Sequence, residues 1–358
     1  MKVTIGLSGG VDSAVAAYRL LSDGYDVSAL FMKNWEDDDG DAECPAEKDY
    51  RDAKAVAARL QIPQKAVNFS KDYWDRVFEH FLAEYRAGRT PNPDILCNKE
   101  IKFKAFLDKA IADGADAIAT GHYARVKKSG DAFQLLRGFD ANKDQSYFLY
   151  TLNQYQLSRA LFPIGEMEKP EVREIAKQNG FPNHAKKDST GICFIGERKF
   201  KSFLQEYVLN SPGDVKTPRG EIIGKHDGLM FYTIGQRQGL QIGGLSEYPE
   251  GAWYVAKKDL TDNALIVVQD HDHPLLYAPG LVCQQLHWVA GEPPAEQFEC
   301  TAKIRYRQAD QHCMVKRTGD DTWHVVFANA QRAITPGQSI VFYQGVVCLG
   351  GGVIESVI

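Results

Sequence analysis

The feature that most constrains the fold is the stretch Leu7-Ser8-Gly9-Gly10-Val11-Asp12-Ser13, which follows an apolar run beginning at Val3 and precedes an alanine-rich helical pattern. This order predicts a strand, a phosphate-binding loop and a helix. Because glycine has no Cβ, Gly9 and Gly10 let backbone N–H groups close around an oxyanion. The helix directs its positive end to the same point. A carboxylate at Asp12 is suited to hold a divalent cation such as Mg²⁺ beside the phosphates.

Two better-known nucleotide loops are excluded by spacing. No Lys follows the glycines, as G-x-x-x-x-G-K-[ST] requires, and G-x-G-x-x-G is also absent. The stretch instead resembles the S-G-G-x-D-S signature of the ATP pyrophosphatases, which implies ATP cleavage between the α and β phosphates with AMP left on a substrate oxygen. A Gly-Gly turn capped by Ser13, without a ligand, is the alternative. The predicted ATP contacts are Gly6, Leu7, Ser8, Gly9, Gly10, Val11, Asp12 and Ser13.

Length and composition predict a soluble protein of two or three domains, with 358 residues, 44% hydrophobic and 25% charged. No apolar run reaches the length of a membrane span, and Met1-Lys2 leads directly into the first strand, so we expect a cytoplasmic protein. Seven cysteines without C-x-x-C spacing argue against a disulfide framework and a structural zinc site, and no resident metal site is predicted.

The negative charge is local. The segment from Glu36 to Glu43 carries six acids and no base, and removing it from the net charge of −5 leaves +1. It lacks the alternating carboxylates of a calcium loop, so a solvated loop is the preferred interpretation. Basic clusters elsewhere are free to bind phosphates.

The order of predicted elements indicates an α/β fold with three parts. Strands alternating with helices predict a Rossmann-like parallel sheet with ligands at the carboxyl ends of its strands, in a nucleotide-binding and catalytic domain over residues 1–210. Short strands after Ser211-Pro212-Gly213 predict a small β-rich central domain over 211–274. Six candidate strands predict a C-terminal β-barrel over 275–358. The sequence His271-Asp272-His273 is interpreted as a polar turn rather than a metal site.

Several local predictions concern the catalytic domain. Aromatic residues at helical spacing over 71–86 predict a core-facing stripe. Two prolines in Thr90–Asn98 predict an extended loop, with a helix beginning near Lys99 and capped by Asn98. A further helix is expected over 154–161. Cys97 would then lie at or just before a helix N-terminus, where the dipole and nearby lysines favour the thiolate.

Cys97 and Cys193 are predicted to lie in irregular, Pro- or Gly-flanked loops, in which reactive thiolates are presented. Each could equally be an inert buried thiol. The barrel cysteines are predicted to be buried and structural, namely Cys283, Cys300, Cys313 and Cys348.

Six motifs, in order along the whole chain, resemble those of the tRNA-specific 2-thiouridylases. They are the Ser8–Ser13 loop, Pro91-Asn92-Pro93-Asp94-Ile95-Leu96-Cys97-Asn98-Lys99, Thr120-Gly121-His122-Tyr123, Lys143-Asp144-Gln145-Ser146-Tyr147, Ser189-Thr190-Gly191-Ile192-Cys193-Phe194-Ile195-Gly196 and Thr233-Ile234-Gly235-Gln236-Arg237.

The resemblance implies ATP-dependent thiolation of the wobble uridine, position 34, of tRNAs for Lys, Glu and Gln. ATP would adenylate the C2 oxygen, and a sulfur-carrier protein would deliver sulfur as a persulfide on Cys193. Either this persulfide attacks C2 or Cys97 releases sulfide from it, and both routes leave a Cys97–Cys193 disulfide. Asp94 is suited to general acid/base catalysis at the activated base.

The resemblance also assigns contact residues. Met32 and Gly121 would contact the adenine and ribose, and Asn92, Pro93 and Asp94 the flipped base. Contacts with tRNA are implied for His122, Lys143, Asp144, Gln145, Arg305, Tyr306 and Gln338. Alternation over Lys303–Arg307 predicts basic side chains on one face of a barrel strand, with a solvated strand face as the alternative.

Two rival functions remain open at this point. Another AMP-forming enzyme with the same loop, such as an amidotransferase-type synthetase or a tRNA lysidine synthetase, would need no cysteine pair. A non-catalytic RNA-binding protein with a relict nucleotide domain would release no pyrophosphate, and the intact loop argues against it.

Overall fold

Alternating apolar strands and helices build the first half of the chain, as expected. The computed structural model describes residues 1–35, 45–188, 200–243 and 247–358. The first elements in chain order are β1 (Lys2–Gly6), α1 (Val11–Ser22), β2 (Asp26–Lys33), α2 (Pro45–Leu60), β3 (Gln64–Asn68), α3 (Ser70–Tyr73) and, after a π-helical turn (Trp74–Phe78), α4 (Glu79–Arg86). Then come α5 (Pro93–Leu96), a π-helical segment (Cys97–Ala105), α6 (Phe106–Ala112), β4 (Ala117–Ala119), β5 (Ala124–Ser129), β6 (Ala132–Arg137), a 3₁₀ turn (Ser146–Phe148), α7 (Gln154–Leu157), β7 (Ala160–Leu161) and α8 (Lys169–Gln178).

The central layer is a parallel sheet in the order β3-β2-β1-β4-β7. Its middle strand, β1, is apolar and buried on both faces, which parallel sheets covered by helices require. The chain leaves β1 to form β2 on one side, and β4 is added on the other side. The carboxyl ends of β1 and β4 therefore form the switch point at which open α/β sheets bind ligands.

Helix α1 begins directly after the glycines and buries an apolar, small-residue face against the sheet. It ends where Gly24 takes a φ of +80°, the left-handed conformation that glycine adopts readily just after a helix. Helix α8 packs on α1, and Gly180 takes a similar left-handed conformation just after it. The predicted aromatic stripe over 71–86 is confirmed as core, except that Trp74 remains 37% exposed.

Two local predictions were wrong. The chain is already helical at Pro93, because Asn92 accepts a hydrogen bond from the Asp94 amide at 3.2 Å and proline suits the first helical turn. The expected helix over 154–161 stops at Leu157, and residues 160–161 join the sheet as its edge strand β7.

The middle of the chain forms a four-stranded sheet after α9 (Phe200–Gln205). Its elements are β8 (Gly213–Lys216), β9 (Ile222–His226), a 3₁₀ turn (Leu229–Phe231), β10 (Trp253–Asp259) and β11 (Ala264–Gln269), with the strands in the order β10-β11-β8-β9. The sequence did not predict β8, a short strand whose only buried residue is Val215. The turn at His271–His273 is polar and exposed, and His271 Nδ1 lies 2.7 Å from Asp272.

The last strands confirm the predicted barrel. After a 3₁₀ turn (Pro274–Leu276) they are β12 (Tyr277–Trp288), β13 (Gln297–Lys303), β14 (Gln311–Arg317), β15 (Trp323–Arg332), β16 (Ser339–Gln344) and β17 (Val347–Val357). Pairing of β12 with both β15 and β17 closes the barrel. The four barrel cysteines are buried, as predicted.

The first part of the chain contributes to the barrel sheet, which the sequence did not reveal. Strand β6 pairs with β17, with Leu135 opposite Cys348 and Leu136 opposite Val347. The β5–β6 hairpin thereby extends the barrel sheet to eight strands. No helix among the described residues is long and apolar enough to cross a membrane.

Candidate active site

The loop after β1 is shaped by its own serines. Ser13 accepts a hydrogen bond from the Ser8 amide at 3.2 Å, and its hydroxyl donates to the Gly10 carbonyl at 3.1 Å. Gly9 has a φ of +77°, and a Cβ there would overlap the Asp49 carbonyl. Both the backbone conformation and the nearby Asp49 carbonyl therefore require glycine at this position, while the predicted contact with an oxyanion stays a prediction.

Two side chains from beyond α8 support the loop from outside. Asn183 Nδ2 donates to the Gly9 carbonyl at 3.0 Å, and Lys186 Nζ lies 3.3 Å from the same oxygen. Lys186 also pairs with Asp49 at 2.7 Å and Asp52 at 2.6 Å on α2. The loop is thus tied to two flanking elements before any ligand binds.

Asp12 is the centre of a polar network at the start of α1. Its Oδ1 accepts from the Tyr123 hydroxyl at 2.8 Å, and Lys169 Nζ contacts both carboxylate oxygens at 2.7 and 2.8 Å. The Lys169 side chain is only 9% exposed. Burial, and then the Asp12 charge, raise the pKa of Tyr123, so its hydroxyl remains a proton donor.

Three cations converge on Asp188 beside this network. Lys143 Nζ lies 2.5 Å, Lys169 Nζ 2.7 Å and Arg173 Nη2 2.8 Å from its carboxylate oxygens. Burial acts to raise the pKa of Asp188, but hydrogen bonds from Lys143 and Lys169 outweigh it and hold the pKa at about 2. Asp188 is therefore a carboxylate at every physiological pH.

Gly121 and Met32 both lie at the carboxyl edge of the sheet. A Cβ on Gly121 would lie 2.7 Å from the Ser13 nitrogen, so the absence of a side chain lets the end of β4 pack on the start of α1. In the structure, Gly121 thus allows two backbone segments to approach each other, and its implied contact with the adenine and ribose stays a prediction. Met32, at the end of β2, lies beside Gly6, where an added Cβ would be 3.1 Å from its Cε.

His122 faces the protein interior. It is 9% exposed, lies 2.7 Å from the Thr120 hydroxyl and packs between Phe103 and Phe162. Burial, and then the charge of Lys102, lower the pKa of its imidazole well below 6.5. This placement makes His122 a neutral packing residue and offers no exposed imidazole to an RNA on the surface.

The segment Lys143–Gln145 makes hydrogen bonds and an ion pair to the residues around Asp12 and Asp188. Asp144 is buried and accepts hydrogen bonds from the Gly138 and Ser146 amides, both at 3.0 Å. Gln145 Oε1 accepts from the Tyr123 amide at 2.9 Å. The Lys143 ammonium thus pairs with Asp188, whereas the side chains of Asp144 and Gln145 accept hydrogen bonds from backbone amides.

Cys97 is fully buried within continuous helix, four residues after Pro93. The expectation that Cys97 lies in an irregular loop, at or before a helix N-terminus, was wrong because Asn92 starts the helix earlier. Asp94 occupies the first turn of that helix. Cys193 lies outside the described residues, so its predicted loop and its relation to Cys97 stay predictions.

Two of the barrel residues with an implied tRNA contact reach the first part of the chain. The Tyr306 ring lies 4.5 Å from that of Phe148, and Gln338 Nε2 donates to the Thr90 carbonyl at 2.7 Å. Arg305 Nη2 donates to the Ile234 and Ala333 carbonyls at 3.1 and 2.9 Å. The barrel thus holds the chain just before Asn92.

The predicted alternation along Lys303–Arg307 was wrong. Strand β13 ends at Lys303, and the following residues turn away from the sheet. Arg305 therefore does not lie on a strand face beside Lys303.

Sequence reasoning missed Lys169, Arg173 and Asp188. Lys169 left one usable signal: it is the first residue of α8, where a positive charge opposes the helix dipole. Such a lysine needs a nearby anion, and Asp12 and Asp188 supply it. Asp188 left no local signal, because its partners come from distant parts of the chain.

Comparison with known proteins adds independent information. Three family models match, described as a tRNA methyl transferase HUP domain over residues 1–197, a tRNA methyl transferase PRC-barrel domain over 201–269 and an aminomethyltransferase beta-barrel domain over 279–354. A 4-thiouridine synthetase in an RNA complex with bound ATP overlaps 57% of this chain and 50% of its own at a TM-score of 0.37 and 20% identity, too weakly to bear on function.

Curated relatives match along nearly the whole chain. The tRNA-specific 2-thiouridylase MnmA of Marinobacter nauticus is 61% identical over 99% of this chain and 91% of its own. The proteins of the same name from Methylococcus capsulatus and Psychromonas ingrahamii are 61% and 59% identical over 99% of this chain and 96% and 97% of their own. The chain therefore belongs to the tRNA-specific 2-thiouridylase family.

Proposed function

We propose that this chain catalyses ATP-dependent thiolation at C2 of the wobble uridine of tRNA, as a tRNA-uridine 2-sulfurtransferase. The observation that carries the proposal is the anion-binding loop at the switch point between β1 and β4, with Asp12 and Lys169 at its mouth. We assign the ATP step to the nucleotide-binding and catalytic domain over residues 1–210 and tRNA contact to the barrel over 275–358; the central domain over 211–274 lies between them in the chain.

The first step activates the base. The uridine O2 attacks the α-phosphorus of ATP, a new P–O bond forms, and the α–β bond breaks with pyrophosphate leaving. The glycine loop and the N-terminus of α1 stabilise the phosphate charge. The uridine N3 proton must leave as O2 becomes substituted, and we assign Asp94 to move that proton.

The residues at the loop also fit Mg²⁺. Asp12 offers the hard oxygen donor that Mg²⁺ prefers, and its side chain is 31% exposed. Among the described residues no group of three or more His, Cys, Asp or Glu could hold a metal, so phosphate oxygens and water would supply most other ligands. Bound Mg²⁺ would neutralise charge on the leaving pyrophosphate.

The second step replaces AMP by sulfur. A sulfur-carrier protein would load Cys193 as a persulfide. If its terminal sulfur attacks C2, AMP leaves, and Cys97 then attacks the Cys193 sulfur, breaking the S–S bond to free 2-thiouridine. If Cys97 attacks first, hydrogen sulfide is released and displaces AMP from C2. Both routes end in a Cys97–Cys193 disulfide, which an external thiol must reduce by two electrons.

Recognition of tRNA follows from the same chemistry. The wobble base lies unpaired in the anticodon loop, so it can be turned out toward Asn92, Pro93 and Asp94. Gln338 connects the barrel to the chain just before Asn92, and the Tyr306 hydroxyl donates to the Lys143 carbonyl. Through these contacts a tRNA bound to the barrel would be positioned relative to the nucleotide site. The tRNAs for Lys, Glu and Gln are the expected substrates.

The direct test incubates the protein with ATP, Mg²⁺, sulfide and unmodified tRNA, and digests the RNA for mass spectrometry. The proposal predicts 2-thiouridine at position 34 together with AMP, and loss of both in Asp12→Asn. Folded protein that yields neither 2-thiouridine nor AMP would overturn it. Full product formation from Cys97→Ser and Cys193→Ser with a persulfide donor would instead favour an AMP-forming enzyme without paired thiols.

A further inference from the structure

A convergence of three cations on one carboxylate, next to an anion-binding loop, requires explanation. Lys143, Lys169 and Arg173 come from different segments, yet all reach Asp188 within 2.8 Å. One carboxylate carries one negative charge, so the cluster retains excess positive charge. Lys169 links it to the loop by also contacting Asp12.

We propose that Lys143, Lys169 and Arg173 form the binding subsite for the pyrophosphate part of ATP, and that Asp188 occupies this subsite as an internal competitor until phosphate displaces it. The proposal rests on the proposed function and deepens it by assigning the residues that bind pyrophosphate beside the loop.

The chemistry favours exchange of the two anions. Pyrophosphate carries several negative charges and many acceptor oxygens, so it can engage all three cations more strongly than one carboxylate does. The side chains of Lys143, Asp188 and Arg173 are about one-third exposed, at 33, 32 and 34%, so an incoming ligand can reach them. Lys169 is nearly buried and would serve as the fixed part of the subsite.

Calorimetric titration with inorganic pyrophosphate tests the proposal without tRNA or turnover. We expect Asp188→Asn to bind pyrophosphate about tenfold more tightly than the wild type, because the competitor is gone and Lys143 and Arg173 have lost their carboxylate partner. Lys143→Gln should bind it about tenfold more weakly. The matched control is Asp310→Asn, which removes a carboxylate held by Arg137 and Lys303 on the barrel.

Unchanged or weaker binding by Asp188→Asn, unchanged binding by Lys143→Gln, or the same tightening in Asp310→Asn would each overturn the proposal. Circular dichroism checks that each variant is folded, and Lys143→Gln decides the matter if Asp188→Asn is not. Wild-type thiolation of tRNA is measured separately. Thiolation without the predicted change in pyrophosphate affinity would refute the subsite alone, and the predicted affinities without thiolation would refute the proposed function alone.

Discussion

Lys169 donates hydrogen bonds to both carboxylate oxygens of Asp12, at 2.7 and 2.8 Å, across 157 positions of sequence. The contact joins the start of α8 to the start of α1, at the loop that defines the site. It also places a buried positive charge where the phosphates of ATP are expected.

Replacing that lysine should abolish the ATP step. Lys169→Met removes the charge and leaves Asp12 without its ammonium partner, so we expect tRNA-dependent pyrophosphate release to fall by at least about 100-fold. The matched control is Lys225→Met, which removes an exposed lysine paired with Asp214 on the central sheet. Equal losses in both variants, or near-normal release by Lys169→Met, would contradict the assignment.

Gly121 should tolerate no side chain. In Gly121→Ala the new Cβ would lie 2.7 Å from the Ser13 nitrogen and 2.8 Å from the Asp12 carbonyl carbon, both backbone atoms that cannot move freely. We expect a loss of about 1–3 kcal/mol in the free energy of unfolding, measured with urea, and weaker ATP binding. Gly243→Ala is the control, since none of the described residues beyond its chain neighbours lies within 4 Å of its added Cβ. Equal stability of the two variants would refute the packing argument.

Gln338 should act by holding the loop before Asn92. Gln338→Ala removes the 2.7 Å hydrogen bond to the Thr90 carbonyl, so the flipped-base residues lose a support. We expect kcat for thiolation to fall about tenfold with little change in KM for tRNA. A rise in KM alone would indicate instead that Gln338 contacts tRNA directly.

The Asp188 cluster should make the free energy of unfolding depend on pH in the acid range. The pKa of Asp188 is lowered from 3.8 to about 2 in the folded chain, so its contribution is present above pH 3.8 and is lost as the pH falls toward 2. Asp188→Asn should therefore be less stable than the wild type near neutral pH, and the difference should shrink below about pH 3. Urea midpoints across this range measure the difference, and a constant gap would contradict the lowered pKa.

Features that depend on residues close together in the sequence could be predicted, and features that depend on tertiary contacts could not. The phosphate loop, the helix caps at Gly24 and Gly180 and the six barrel strands follow from glycine conformation and strand periodicity, so they were predictable. The sequence pattern predicts the Cys97 helix too late, because proline breaks a helix interior but is favoured in the first turn, which Asn92 caps here.

The remainder is set by tertiary contacts. Asp188 lies 45 positions from Lys143 and 19 from Lys169 in the sequence, so no local motif predicts that these side chains are in contact. The burial of His122 between Phe103 and Phe162 is likewise invisible in the motif that contains it. Family resemblance assigned that histidine to tRNA contact, whereas packing accounts for its position.

The two thiols should be required after ATP has bound. Cys97→Ala and Cys193→Ala should each lose persulfide-dependent 2-thiouridine formation, because Cys193 carries the persulfide and Cys97 breaks its S–S bond. ATP binding, measured by calorimetry, should be retained in both variants. Cys283→Ala, which alters a buried barrel cysteine, is the control for general loss of a thiol. Normal turnover by either the Cys97 or the Cys193 variant would refute the paired-thiol chemistry.

The central claim is that ATP activates the uridine oxygen, and following that oxygen tests it most directly. A tRNA carrying ¹⁸O at C2 of uridine 34 is incubated with the protein, ATP, Mg²⁺ and sulfide, and the AMP is analysed by mass spectrometry. The account predicts one ¹⁸O atom in each AMP released together with 2-thiouridine. Formation of 2-thiouridine with unlabelled AMP would contradict it.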